Sequence, residues 1–217
     1  MSPHDRIPAP TFDPAAAAAA AARFAASAPA DVRYAELDSP VGTLVAAATP
    51  RGLVRLAYES ESGGLDDVLE ALARRVSPRI LEARAELDPL RRELEEYFEG
   101  RRRAFDLPID WSLTAGFGRR VLRATAAIPF GQTSSYAQVA ARAGSPRASR
   151  AAGNALGSNP IPIVVPCHRV LHSGGGLGGY TGGVQRKVRL LGIEGVLSPS
   201  PAAGTASRRS GPTSGRS

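Results

Sequence analysis

The period of the apolar repeat changes at Trp111, and this change limits the possible folds more than any other feature of the chain. Before Trp111, residues 32–58 alternate between apolar and polar positions, with turn residues at 39–42 and 50–52. Alternation with a period of two, broken by proline and glycine, is typical of a meander of short antiparallel strands. After Trp111, apolar residues recur at helical spacing in short segments. The sequence therefore predicts an α+β protein in which strands come first and helices follow.

Two helices and an extended segment are predicted to complete the first part. Apolar residues between Leu65 and Val76 repeat at helical spacing. Asp88, as N-cap, and Pro89, at the first helical position, indicate a second helix that Gly100 ends. Residues 101–109 look extended again. Residues 31–112 are thus predicted to form a small N-terminal domain of mixed strands and helices with no evident chemistry of its own.

Three short helices are predicted in the second part, residues 113–197. Thr114 is the expected N-cap of the first, Ser134 or Ser135 of the second, and Ser145, followed by Pro146, of the third. The last two helices are separated by a turn that contains glycine, which makes them a candidate helix-turn-helix motif. Many helix pairs of this kind bind nothing, so the pattern alone leaves the function open.

Charge is divided unevenly between the two parts. Twelve arginines face seventeen carboxylates over residues 31–115, whereas ten cations face the single carboxylate of Glu194 over residues 116–197. A strongly basic half beside an acidic half points to a polyanionic partner for the basic one.

Several classes of protein are excluded by composition. Cys167 is the only cysteine, so neither a disulfide framework nor a zinc site of clustered cysteines can form. No segment approaches the roughly 18 to 20 apolar residues of a membrane span. The alanine run at residues 15–22 resembles the apolar core of a signal peptide, but prolines interrupt its lead-in, and we expect a cytoplasmic protein. Residues 1–30 and 198–217 are predicted to be disordered extensions.

The candidate chemistry lies in residues 159–169, where three prolines are expected to hold an extended, stiff backbone. This segment presents Cys167 next to His168, and an imidazole can activate a thiol as a nucleophile. Glu194 is the only carboxylate in this part that could orient the histidine. A buried, inert cysteine beside a surface histidine is the alternative interpretation.

Several motifs in this region resemble those of the O6-alkylguanine-DNA alkyltransferase family. They are Asn-Pro-Ile-Pro-Ile-Val-Val at 159–165, Pro-Cys-His-Arg-Val at 166–170, Gly-Tyr-Thr-Gly-Gly at 179–183 and Leu-Leu-Gly-Ile-Glu-Gly at 190–195. The resemblance extends through residues 128–136 and 144–151, with weaker matches at 38–44 and 97–100, and covers about residues 32–196. It implies a ribonuclease H-like domain followed by a winged helix-turn-helix-like domain that binds DNA and carries the active site.

The resemblance also implies a reaction. An alkyl group on O6 of guanine, or on O4 of thymine, is transferred irreversibly to the cysteine, so each molecule acts once and needs no cofactor. The implied roles are Cys167 as acceptor, His168 as a base acting through water, Glu194 as the residue that orients His168, Tyr136 as donor to the N3 side of the base, the backbone N–H of Thr181 as donor to O6, and Asn159 as the brace of the loop.

The resemblance further implies that the protein is a monomer, that it binds double-stranded DNA containing O6-alkylguanine, and that it is associated with the nucleoid. The target nucleotide must leave the stack, because a thiol cannot reach O6 inside a duplex. Arg150 would fill the vacated place, and the small residues of its helix would allow close approach to the minor groove. The other substrate or DNA contacts implied are Arg147, Ala151, Gly153, Val170, Tyr180 and Thr181, with Arg119, Arg123 and Arg142 as neighbours of phosphates.

Three rival interpretations follow from the same residues. The glycines of 174–179 fit a dinucleotide-binding pattern, but the helix predicted after them is too short for a crossover between parallel strands. A winged-helix regulator would use the basic half without Cys167, and a cysteine hydrolase would use Cys167 with turnover. The zinc site of some family members is not expected, because the first part has no cysteine. Whether the glycine-rich loop admits bulkier alkyl groups is left open.

Overall fold

A computed structural model of the chain describes Ala15 and residues 30–197. Nearly all of the extension predicted over residues 1–30, and the whole tail predicted over 198–217, lies outside the described residues. The predicted α+β class is confirmed, with a strand-rich first part and a helical second part.

The first part is built on a four-stranded sheet. Its strands are β1 (Val32–Leu37), β2 (Leu44–Thr49), β3 (Gly52–Tyr58) and β4 (Ile80–Glu82). Strands β1 to β3 form the predicted antiparallel meander, and β4 joins the far side of β1 in parallel, so that the order is β3-β2-β1-β4. Two helices accompany the sheet, α1 (Leu65–Arg75) and α2 (Asp88–Phe98).

The two faces of the sheet bury different partners. On one face Val45 and Val54 pack against Val68 and Leu72 of α1. The other face belongs to a larger core that includes α2, the helices of the second part and Cys167. Because this core runs continuously through both parts, the sheet backs the candidate site directly. The division into two domains at residues 112 and 113 stays a prediction.

Four helices and a short strand pair form the second part. They are α3 (Gly116–Ala126), β5 (Ser134–Ser135), α4 (Tyr136–Arg142), α5 (Ser149–Gly157), β6 (Val170–Leu171) and α6 (Val184–Ile193). Helices α3, α4 and α5 pack on one another, and β5 pairs with β6 in parallel. Ser135 caps α4 in a reciprocal pair of hydrogen bonds with Gln138, as a capping box requires. No helix in the described part of the chain is long and apolar enough to cross a membrane.

Three predicted boundaries are wrong. The N-cap of α3 is Ala115 rather than Thr114, whose hydroxyl donates instead to the carbonyl of Trp111. Helix α2 already includes Asp88. Helix α5 starts at Ser149, because the Ser145 carbonyl accepts from the N–H of Ala148 and closes a separate turn first.

Residues 101–109 were predicted to be extended, and they form an irregular loop instead. Only Ile109 makes a single bridge, to Leu53 of β3. Arg102 bends the loop back onto α2, because its guanidinium donates to Glu96, to the carbonyl of Ala104 and to Asp106. These local contacts of the Arg102 side chain compete with the strand that the apolar alternation indicates.

Candidate active site around Cys167

The segment that carries the cysteine is buried along its whole length, residues 159–170. It is not extended as predicted but folds into consecutive turns, in which the N–H of Val165 donates to the carbonyl of Ile161. Ile163 has φ of +72°, a left-handed conformation that is rare for a branched residue. The N–H of Leu56 in β3 donates to the carbonyl of Pro160 at 2.9 Å. The first part therefore anchors the segment that delivers the thiol.

Asn159 connects the two ends of this segment. Its side-chain amide donates to the carbonyl of Val165 at 2.8 Å and to Sγ of Cys167 at 3.1 Å, and its Oδ1 accepts from the N–H of Ile161. Burial raises the pKa of Cys167 to about 11, although the Asn159 bond and the charge of Lys187 oppose the rise. At neutral pH the thiol is therefore protonated in the free protein, and its reaction requires a base.

His168 and Glu194 form a fully buried pair. Nε2 of His168 lies 2.8 Å from Oε1 of Glu194, and neither side chain is exposed. Burial lowers the pKa of His168. Burial alone would raise the pKa of Glu194, but hydrogen bonds from His168 and Arg169 outweigh it and lower that pKa to about 2. A neutral imidazole facing a carboxylate must carry its proton on Nε2, so Nδ1 is left as the acceptor.

Nδ1 of His168 is buried and has no hydrogen-bond partner among the described residues. Buried nitrogens are nearly always satisfied, so an atom of this kind needs a functional or solvent partner. The neutral tautomer makes it a proton acceptor one residue away from the Cys167 thiol.

Two further side chains complete the surroundings of Glu194, and neither was predicted. Arg169 donates to both carboxylate oxygens and also to the carbonyl of Ile128. Tyr97, at the end of α2, donates its hydroxyl to Oε1 at 2.8 Å. Arg169 could have been suspected from its place next to His168, whereas the only signal for Tyr97 was the weaker family match at residues 97–100, which assigned it no role. The first part, expected to carry no chemistry, thus supplies a donor to the Glu194 carboxylate.

A cavity of about 520 Å³ opens beside Cys167. The structure brings six of the predicted residues to its walls: Cys167, Tyr136, Arg150, Gly153, Tyr180 and Thr181. Asn159, His168 and Glu194 lie buried behind the thiol. Val170 is fully buried, and Arg147 and Ala151 are exposed on the outside of the cavity, so these three do not line it. His172 lines the cavity next to Tyr136, with ring centroids 5.1 Å apart, and was not predicted.

The glycine-rich loop forms the rim of this cavity. Gly178 has φ of +68°, and a Cβ there would lie 2.6 Å from the hydroxyl oxygen of Tyr136. Glycine is therefore required both for the backbone conformation and for the close approach to Tyr136. Lys187 holds the loop from beneath, because its ammonium donates to the carbonyls of Val170, Leu177 and Gly179.

Arginines around α5 differ in how they are engaged. Arg142, Arg147 and Arg150 are exposed, and none of them has a hydrogen-bond or ion-pair partner within residues 30–197. Arg119 donates to the carbonyl of Thr114, and Arg123 lies over the ring of Trp111. The three unengaged arginines are free to meet an external anion, whereas Arg119 and Arg123 already have protein contacts.

Family profiles match both parts of the chain. Residues 32–111 match "6-O-methylguanine DNA methyltransferase, ribonuclease-like domain", and residues 116–196 match "6-O-methylguanine DNA methyltransferase, DNA binding domain". No group of three or more metal-binding side chains converges in the part of the chain that the structure describes.

Named relatives and solved structures agree with these profiles. The chain is 38% identical over 174 residues to a methylated-DNA–protein-cysteine methyltransferase of Mycolicibacterium paratuberculosis, covering 78% of this chain and 96% of the relative. It is 38% identical to the inducible protein of that name from Bacillus subtilis, covering 68% and 82%. The crystal structure of Mycobacterium tuberculosis OGT in complex with DNA matches 75% of this chain and 93% of its own, with a TM-score of 0.62 and 34% identity.

Proposed function

The chain belongs to the 6-O-methylguanine DNA methyltransferase family, and we propose that Cys167 is the residue on which its activity depends. The protein is a DNA repair methyltransferase that removes alkyl groups from O6 of guanine by transfer to its own cysteine. We further propose the roles of the individual residues, repair of alkyl groups on O4 of thymine as well as on O6 of guanine, and action as a monomer on double-stranded DNA.

One observation carries the assignment of the acceptor. The only cysteine of the chain lies on the wall of the cavity, bonded to Asn159 and followed by a histidine whose free ring nitrogen can accept a proton. An inert structural cysteine would need neither the cavity nor the buried His168 and Glu194 pair. The geometry therefore favours a nucleophile.

The transfer is a single displacement at carbon. Sγ of Cys167 forms a bond to the alkyl carbon as the bond from that carbon to O6 breaks, and the bonding pair leaves with guanine. The thiol proton passes to Nδ1 of His168, directly or through water, and finally to the guanine ring, so a thiol and an O6-alkylguanine give a thioether and guanine. No group then cleaves the thioether, which makes the reaction stoichiometric.

Tyr136 and Thr181 are proposed to stabilise the leaving guanine. Both line the cavity with Cys167. Burial raises the pKa of Tyr136, which keeps its hydroxyl protonated and able to donate as negative charge develops on the base. The hydroxyl of Thr181 is engaged with the carbonyls of α5, at 3.3 Å for Leu156, so its backbone N–H is the group proposed to face O6.

Helix α5 is proposed to enter the minor groove. It carries Ala151 and Gly153 after the exposed Arg150, and small side chains permit close approach of the backbone. Arg150 lines the cavity entrance and is proposed to occupy the place of the flipped nucleotide. Arg142 and Arg147 are proposed to contact phosphates, since no carboxylate in the described chain neutralises them.

The proposal is tested by incubating the protein with a duplex containing one O6-methylguanine. We expect the peptide that contains Cys167 to gain the mass of one methyl group, once per molecule, and the same duplex with guanine to give no gain. Cys167→Ala is expected to bind the damaged duplex and transfer nothing. Repeated turnover would indicate a hydrolase, and an unmodified Cys167 after complete binding of the duplex would refute the proposal.

A further inference from the structure

Tyr180 forms part of the cavity wall, and it contacts a residue of the first part. Tyr180 lines the cavity with Cys167, and its ring stands edge-on to His168 with centroids 6.3 Å apart. Its hydroxyl oxygen lies 2.8 Å from the hydroxyl oxygen of Tyr58, the last residue of β3. The two rings meet edge to face with centroids 6.1 Å apart.

Tyr58 itself has no room to move. It is buried, and a Cβ on Gly182 would lie 2.3 Å from its ring. The guanidinium of Arg186 also stacks on the ring, at 4.7 Å from its centroid.

Arg186 is fixed in turn by the backbone of both parts. It donates to the carbonyl of Val41 at 2.7 Å and to the carbonyl of Gly182 at 2.8 Å. The contacts form a continuous support that runs from β3 through Tyr58 to the cavity wall. A displacement of Tyr180 away from Cys167 must therefore break its bond to Tyr58 or move Tyr58, which is buried and packed against Gly182 and Arg186.

We propose that Tyr58 is a positioning residue that limits the size of the alkyl group accepted at Cys167 by holding Tyr180 in place. This inference rests on the proposed function. It implies that bulky alkyl groups are limited by Tyr180 and not by the glycine-rich rim. The glycines shape the rim, but Tyr180, which follows them in the chain, is held by a side chain from the sheet. Methyl groups fit without moving Tyr180, whereas a benzyl group requires Tyr180 to shift and to lose its hydrogen bond.

The test compares two lesions and two matched variants. Single-turnover rate constants are measured with the same duplex carrying O6-methylguanine or O6-benzylguanine, for the wild type, Tyr58→Phe and Tyr34→Phe. Tyr34 lies in the same sheet, and its hydroxyl has no hydrogen-bond partner within residues 30–197, so Tyr34→Phe controls for loss of a tyrosine hydroxyl. Tyr58→Phe is expected to raise the ratio of benzyl to methyl transfer by roughly threefold or more, the effect of one neutral hydrogen bond.

The ratio separates positioning from a general loss of stability, because a damaged fold slows both lesions alike. Arg186→Lys is a second variant that removes the stacking on Tyr58 without changing the cavity wall, and it is expected to raise the ratio in the same direction. If Tyr58→Phe folds and transfers methyl groups but its ratio of benzyl to methyl transfer is unchanged, the inference is overturned. If Tyr58→Phe does not fold, an unchanged ratio in Arg186→Lys overturns it. Absence of methyl transfer by the wild type would instead overturn the proposed function.

Discussion

Lys187 is the only lysine in a chain that otherwise uses arginine for its positive charges. It is fully buried, and within the described residues its ammonium meets three backbone carbonyls and no carboxylate. A compact ammonium can direct its donors at three separate carbonyls in a narrow space, whereas a planar guanidinium could not. Lys187 thus joins β6, which directly follows Cys167–Arg169, to the glycine-rich rim.

Burial of this charge leads to a prediction about stability. Burial lowers the pKa of Lys187 from 10.5 to about 8 in the folded protein, whereas the unfolded chain keeps the ordinary value. Between these two values the unfolded state binds more protons, so the free energy of unfolding gains a contribution as the pH rises. The free energy of unfolding is measured by urea titration for the wild type and Lys187→Met. From pH 7 to pH 10, the value for the wild type is expected to rise by about 2 kcal/mol relative to that for Lys187→Met.

Both proteins carry Cys167→Ala in this comparison, because the charge of Lys187 also affects the pKa of Cys167. Groups that do not interact with Lys187 titrate alike in both proteins and cancel in the difference. Parallel stability curves for the wild type and Lys187→Met would show that Lys187 has the same pKa in the folded and unfolded chain.

The residues that could be predicted from the sequence are those with local signals. Cys167 and His168 are neighbours within a proline-rich segment, and Glu194 is the single carboxylate of its half. Tyr58 has no such signal, and Tyr97 has only the weaker family match at residues 97–100. Each lies in an ordinary apolar pattern and reaches the site only through packing of the two parts. Residues that act through tertiary contact are invisible to a reading of spacing and composition.

Helix starts show how the same cap signal can succeed or fail. Ser135 and Ser145 both precede helical patterns, yet only Ser135 accepts a hydrogen bond from the first turn of its helix, from the N–H of Gln138 at 3.2 Å. The hydroxyl of Ser145 has no partner in the described residues, because α5 begins four positions later.

The two serines therefore make a matched pair of variants. Ser135→Ala is expected to lower the free energy of unfolding by about 1 kcal/mol, since it removes a capping bond from α4. Ser145→Ala is expected to change it by less than about 0.5 kcal/mol. Chemical denaturation of both variants measures the difference. Equal losses would mean that Ser145 caps a helix in solution and that α5 begins earlier than in this structure.

Elements with strong periodicity were predictable, and short or irregular ones were not. The meander of β1 to β3 follows from alternation and turn residues. Strand β4 has three residues, too few to show a period, and it exists because it pairs with β1. The loop at residues 101–109 has the alternation of a strand, but the ion pairs of Arg102 decide its path.

At the scale of the whole molecule, the two parts differ both in charge and in how many of their arginines form ion pairs. Most arginines of the first part pair with nearby carboxylates, as Arg91 does with Asp88 at 2.9 Å and with Glu95 at 2.6 Å. In the second part, within the described residues, only Arg169 and Arg186 pair with a carboxylate. The arginines of the first part are thus mostly neutralised by nearby carboxylates, and the positive charge around α5 remains available to a polyanion.

Salt dependence of DNA binding can separate this local charge from net charge. Arg147→Ala removes an unpaired cation beside α5, and Arg91→Ala removes a paired cation from α2, so both variants lose one positive charge. If Arg147 contacts a phosphate, its loss decreases the number of counterions released on binding. Dissociation constants for an undamaged duplex, measured from about 50 to 200 mM salt, are expected to give a slope of log K against log salt that is smaller by about one for Arg147→Ala.

Arg91→Ala is expected to keep the wild-type slope, because its charge is already balanced by Asp88 and Glu95. Equal reductions in both variants would mean that the protein attracts DNA through its total charge rather than through the surface around α5.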